Sequence, residues 1–197
     1  QSECCTGSEP VVAYWMHNGF VNVDGEKMSK SLGNFWTIRD AFGHHAPLAL
    51  RYALLSVPYR NPIDLTPEFI EDAATHFDRL VEAYGNSLSS DTESGADLSG
   101  ASERFTAAMD DDFNTRAAMI EVQGVVASAA GSDVADWLEQ HAGDALGLLP
   151  SSDEVMAGLA QADSARAEVA ERVEALLAER EVARKSSDWG RADEIRD

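Results

Sequence analysis

Lys27 and Lys30 stand three residues apart, with Met28, Ser29 and Ser31 around them and Gly33 just beyond. They are two of only three lysines in a chain of 197 residues that holds twelve arginines. Small hydroxyl residues and a following glycine make this stretch a mobile cationic loop rich in hydrogen-bond donors. Ammonium groups there can meet negative charge, while hydroxyls and backbone N–H groups meet oxygens. A triphosphate requires that combination. A solvated hairpin does not, and would be free to carry arginine or acids at the same positions. The candidate site is therefore Lys27, Ser29, Lys30 and Ser31.

Other residue types that could do chemistry read less sharply. Cys4 and Cys5 are neighbours, so they cannot close an ordinary unstrained disulfide with each other. No His or carboxylate stands at a recognisable ligand spacing from them, and no metal set is expected. A reducing, cytoplasmic setting fits two such cysteines. His17 lies near the lysines and reads as a packed or solvated histidine rather than as part of a nucleotide pocket. His44 and His45 precede a helix and read as a capping pair. Arg51 and Arg60 fit phosphate contacts or surface ion pairs. The run Asp110, Asp111, Asp112 reads as favourable charge ahead of a helix rather than as a metal cluster.

The elements that must position the lysines follow from local pattern. Phe20 to Val23 alternates, Asp24-Gly25 is a two-residue turn signal, and Glu26 to Met28 returns, which predicts a β-hairpin feeding the loop. Gly33-Asn34 closes the loop. Thr37 then caps a short helix through Phe42, stopped at Gly43. Pro47 suits a first helical position, with Leu48, Tyr52 and Leu55 along one face. Thr66-Pro67 starts the clearest helix, whose Phe69, Ile70, Ala73, Phe77, Leu80, Val81, Tyr84 and Leu88 recur every three or four residues. The Ser-, Asp- and Gly-rich stretch 87–100 predicts a flexible linker. Ser102 and Thr115 open two more helices, Ser132 or Asp133 caps a third, and Ser151 with Glu154 forms a capping box for a fourth. A last helix carries Val169, Val173, Leu176 and Leu177 on one stripe. The expected fold is mainly α: a small α/β region carrying the lysine loop over 1–65, then an antiparallel helical bundle over 66–197.

The formal net charge is −20, and it is unevenly placed. Residues 1–65 hold six acidic and five basic side chains, and the rest hold 29 and 10. A nearly neutral first third in an acid-saturated chain fits contact with an anionic ligand. Acidic, lysine-poor surfaces also suit work in concentrated salt, where screening relieves their self-repulsion, so a halophilic source is expected. No apolar run approaches the roughly 20 residues of a membrane span. The start at Gln1 and the end inside a helical pattern predict a piece of a longer protein.

The lysine stretch, Lys27-Met28-Ser29-Lys30-Ser31 followed by Leu32-Gly33-Asn34, resembles the second signature of class I aminoacyl-tRNA synthetases. Its flanks narrow the resemblance. Residues 14–25, Tyr-Trp-Met-His-Asn-Gly-Phe-Val-Asn-Val-Asp-Gly, look like the approach to that motif in the cysteinyl-tRNA synthetase family. Leu48 to Tyr52 and Tyr59 to Ile63 resemble the family's segment after the loop, near the inner bend of tRNA. Asp110 to Thr115 resembles its helical-domain signature, and Asp188 to Asp197 its next landmark. The matches run in order along nearly the whole chain.

This resemblance implies an ATP-dependent ligase with cysteine, ATP and tRNA(Cys) as partners. The cysteine carboxylate attacks the α-phosphate of ATP, and the aminoacyl group then moves to the tRNA 3′ end. It implies Lys30 as the main contact to the ATP phosphates, supported by Lys27, with Ser29 and Ser31 shaping the loop. It implies a zinc ion in the intact enzyme, held by ligands outside this chain, and an amino-terminal half of the catalytic domain as a further partner. The fragment alone is expected to be inactive. Two rivals remain: the related ligase that joins cysteine to an amino-sugar inositol in mycothiol synthesis, and a non-catalytic helical scaffold that docks tRNA.

Overall fold

The computed structural model describes residues 2–7, 9–23, 25–29, 31, 33 and 37–185. Asp24, Lys30, Leu32, Asn34 and the 188–197 segment lie outside the described residues. The chain divides into two compact units, Gln1–Pro150 and Ser151–Asp197. The fold is mainly α, with one small sheet.

In the first unit, a short helix α1 (Ser2–Thr6) precedes strands β1 (Val21–Val23) and β2 (Glu26–Lys27). These pair antiparallel as the expected hairpin, Asn22 opposite Lys27 and Val23 opposite Glu26. Gly25 takes φ +77°, which a two-residue hairpin turn requires and a glycine adopts without strain. Strand β3 (Ile63–Asp64) adds on the other side of β1, in parallel, with Val21 opposite Ile63.

Helix α2 (Ile38–Phe42) has the expected Thr37 cap. The Thr37 hydroxyl accepts the Asp40 N–H and the Asp40 carboxylate accepts the Thr37 N–H, both at 3.1 Å. Helix α3 (Pro47–Leu55) begins at its proline but buries Ala49, Tyr52 and Ala53, leaving Leu48 and Leu55 half-buried. The alanines let α3 lie close against α4 (Pro67–Leu88). Helix α4 is capped by Thr66 and buries Ile70, Ala73, Phe77, Leu80 and Tyr84, the face its periodicity predicts.

Helices α5 (Leu98–Asp110), α6 (Thr115–Ser128) and α7 (Ser132–Leu138) complete the core, and α7 runs into a π-helical stretch, Glu139–Ala145. Phe105, Trp137 and His141 pack together there, with the His141 ring stacked on Trp137 at 4.2 Å between centroids. The Trp137 indole N–H donates to the Ser102 hydroxyl at 2.8 Å. Ser102 is thus a core partner and not a helix opening. Helix α5 starts four residues earlier, where the Asp97 carboxylate accepts the Gly100 N–H at 3.0 Å.

The linker expected over 87–100 differs as well. Ser87 is buried within α4, and only residues 89–97 lie between the helices. That connection is fastened to α7: the Asp133 carboxylate accepts the Ser94 N–H and hydroxyl, each at 2.7 Å, and the Thr92 carbonyl accepts the Ser132 N–H at 3.0 Å. Asp133 therefore pins a loop instead of capping its own helix, whose first position is uncapped.

In the second unit the last two expected helices are one, α8 (Ser152–Lys185), of 34 residues. Ser151 and Glu154 make the expected capping box at its start. Val169, Val173, Leu176 and Leu177 on α8 are exposed. Among the described residues no helix is long and apolar enough to cross a membrane.

Candidate functional site

The approach to the lysine stretch is fixed by backbone, not by side-chain packing. Tyr14, Trp15 and Met16 are exposed, and Trp15 stacks loosely on His17. Gly19 then passes so close to the 58–62 turn that a Cβ on it would collide with the Asn61 carbonyl group and lie 2.7 Å from the Pro62 nitrogen. The Gly19 N–H donates to the Tyr59 carbonyl at 2.7 Å, and the Phe20 carbonyl accepts the Ile63 N–H at 2.9 Å.

From there β1 and β2 carry the chain to Lys27. The Met28 N–H donates to the Val21 carbonyl at 3.0 Å, extending the hairpin by one residue. The hairpin turn is held from the third strand, because the Gly25 N–H donates to the Asp64 carboxylate at 2.9 Å. The Lys27 ammonium stands 4.1 Å from the centre of the Phe20 ring, a cation–π contact that uses the side chain just ahead of β1. The Ser29 and Ser31 hydroxyl oxygens are 3.2 Å apart. The structure thus gathers Lys27, Ser29 and Ser31 at the mouth of the hairpin, while Lys30 lies outside the described residues.

Behind the 58–62 turn is a cluster whose partners are too far apart in sequence for spacing to reveal. Arg60 grips Asp112 with Nε at 2.6 Å and Nη2 at 3.0 Å, and the Tyr59 hydroxyl donates to the same carboxylate at 2.9 Å. The guanidinium also lies 5.0 Å from the Tyr59 ring centre. The Arg60 and Tyr59 bonds hold the Asp112 carboxyl below its ordinary range. The Tyr59 hydroxyl is pushed up, first by loss of solvent and then by its bond to Asp112.

This changes the reading of the acidic run. Asp110 ends α5 and Asp111 caps its C-terminal end, where the helix dipole does not favour a carboxylate. Asp112 serves Arg60 and Tyr59, and the Asn114 side chain caps α6. Arg60 is therefore engaged as an ion pair. Arg51 is engaged too, through Nε to the Leu146 carbonyl at 2.7 Å. His44 and His45 follow α2, each donating its backbone N–H to the Ala41 carbonyl.

An open apolar groove of about 560 Å³ lies beside the hairpin, between the sheet, α2 and α3. Val21, Met28, Ile38, Phe42, Leu54 and Leu65 line it, so the lysine stretch contributes Met28 to its wall. Among the described residues no group of three His, Cys, Asp or Glu side chains is arranged to hold a metal ion. Cys4 and Cys5 are free, exposed thiols on α1. The donor set for zinc is not met by these residues.

Residues 1–75 match the family described as tRNA synthetases class I (C) catalytic domain. Residues 166–197 match the family described as cysteinyl-tRNA ligase anticodon binding domain. Among curated relatives, the cysteine–tRNA ligase of Laribacter hongkongensis is 40% identical over 94% of this chain and 41% of its own length. Those of Halorhodospira halophila and Chromobacterium violaceum are each 41% identical over the full chain and 43% of their own lengths. The chain spans less than half the length of these relatives. Over that span the chain is similar to the carboxy-terminal region of the cysteinyl-tRNA synthetases, with class I catalytic-domain sequence at its start and anticodon-binding sequence at its end.

Proposed function

We propose that this chain is the part of a cysteine–tRNA ligase that supplies the lysine loop to the adenylate-forming site and a helical surface to tRNA(Cys). The observation that carries the reading is the lysine stretch on a hairpin fixed from both sides, within a region similar along its whole length to cysteine–tRNA ligases. Residues 1–65 close the catalytic domain and 66–197 form the docking region.

As the cysteine carboxylate attacks the α-phosphate, charge builds on the β- and γ-phosphate oxygens that leave as pyrophosphate. Lysine ammonium groups that close on those oxygens at that moment lower the barrier more than they tighten ground-state binding. Lys30 makes the main contact and Lys27 supports it. Ser29 and Ser31, whose hydroxyl oxygens lie 3.2 Å apart and which flank Lys30 in sequence, shape the loop. A loop that orders on ATP and loosens afterwards also releases pyrophosphate. In the intact enzyme a zinc ion would be held by residues outside this chain, and the enzyme works in the cytoplasm.

The surface beyond residue 65, with 29 acidic against 10 basic residues, repels RNA in dilute buffer. A halophilic source resolves this, since concentrated salt screens that repulsion. The test is ATP–pyrophosphate exchange by the intact ligase with each amino acid in turn. Exchange with cysteine alone supports the reading, and exchange with another amino acid or with none contradicts it.

A further inference from the structure

We propose that Asp112, at the α5–α6 turn, is a positioning residue for Lys27, acting through the 58–62 turn on the Phe20 ring against which the Lys27 ammonium stands. The effect on catalysis rests on the ligase reading above; the mechanical link does not. The route is continuous. Three hydrogen bonds from Tyr59 and Arg60 converge on the Asp112 carboxylate. The Tyr59 carbonyl in turn holds the Gly19 N–H, and Gly19 rests on the Asn61 carbonyl. Phe20 follows directly, pinned to Ile63 through its carbonyl, with the Lys27 ammonium over its ring.

Two features argue that this contact fixes geometry and does not merely add stability. Both partners of the ion pair are more than half exposed, at 62% and 53% for Arg60 and Asp112, where such a pair contributes little to folding. Yet the backbone bearing it is strained: Asp112 and Phe113 both take left-handed φ, 54° and 53°. Asp tolerates that region and Phe does so rarely. Strain of this kind persists where the surroundings over-determine it. Here the Phe113 N–H is held by the Met109 carbonyl, the Asn114 N–H by the Ala108 carbonyl, and the Thr115 hydroxyl donates to the Leu55 carbonyl. The strained turn presents the carboxylate to a segment that abuts Gly19.

Asp112→Asn tests this cleanly, because Asn keeps the left-handed preference while removing the charge. Amide hydrogen exchange on the 197-residue chain should show Gly19 exchanging about three- to tenfold faster, with α4 amides unchanged. Arg60→Lys, which loses the fork, should do the same. In the intact ligase, Asp112→Asn should lower kcat of cysteine-dependent pyrophosphate exchange by a similar factor and leave the KM for cysteine unmoved. Unchanged Gly19 protection overturns the inference, as does a change shared equally by α4. Faster Gly19 exchange with an unaltered kcat overturns it too. A parent ligase that gives no pyrophosphate exchange refutes the ligase reading instead, and the hydrogen-exchange result still decides the link.

Discussion

Gly19→Ala and Gly124→Ala should move stability in opposite directions, although each adds one methyl group. At Gly19 the new Cβ meets only backbone: the Asn61 carbonyl group and the Pro62 nitrogen. No side-chain rotation can relieve that contact. The 58–62 turn must back away, which opens the Gly19–Tyr59 bond of 2.7 Å and pulls on the β1–β3 pairing next to it. Overpacking against an unyielding wall and one lost hydrogen bond together cost about 2–4 kcal/mol. Gly124 lies inside α6 with nothing within 4 Å of its Cβ position. Alanine there gains about 0.5–1 kcal/mol from helix propensity alone. Urea unfolding followed by far-ultraviolet circular dichroism at fixed KCl reads both. The Gly19→Ala midpoint should fall by about 1–2 M, and the Gly124→Ala midpoint should rise. A Gly19→Ala protein within about 0.5 kcal/mol of the parent would refute the reasoning, since surface substitutions away from any tight contact behave that way.

Three further outcomes are expected. Ser102→Ala strips the buried Trp137 indole N–H of its acceptor and should cost about 1–3 kcal/mol, read as a lower Tm in calorimetry. Asp133 is held below its ordinary carboxylate range, first by the Ser94 hydroxyl and then by the Ser94 N–H. Its folded pKa is the lower one, so its contribution is present above the unfolded value of about 3.9 and is lost as pH falls through the folded value. Asp133→Asn should therefore flatten the decline of Tm below about pH 4, and an unchanged slope would contradict the assignment. With a net charge of −20, the chain should gain Tm steadily as KCl rises and self-repulsion is screened; a Tm indifferent to salt would count against a halophilic source.

What could be read from the sequence was local. The hairpin around Gly25, the Thr37 and Thr66 caps, the capping box at Ser151 and the buried face of α4 each depend on residues within a turn or two of one another. What escaped joins distant segments. Asp133 looked like a helix cap because capping aspartates precede helices, but its carboxylate reaches Ser94 across 39 positions. The same reach turned an expected flexible linker into a fastened loop. Asp112 reads in the sequence as favourable charge ahead of a helix, whereas its partners Arg60 and Tyr59 lie 52 and 53 positions earlier. The single run of α8 reads from the sequence as two helices, one starting at the Ser151–Glu154 capping box and one carrying the stripe from Val169 to Leu177. For the site, composition and spacing picked out the lysines and serines. They gave no hint of Phe20, Gly19 or Asp64, whose roles depend on β1 lying between β2 and β3.

The lysine loop as the phosphate clamp of a cysteine–tRNA ligase is tested most directly by steady-state, cysteine-dependent ATP–pyrophosphate exchange with Lys30→Ala in the intact enzyme. Loss of a charge that acts mainly in the transition state should lower kcat by about 10²–10³-fold while the KM for cysteine stays near that of the parent. A Lys30→Ala enzyme that keeps the parent kcat, or that fails only through a raised KM for cysteine, would contradict it.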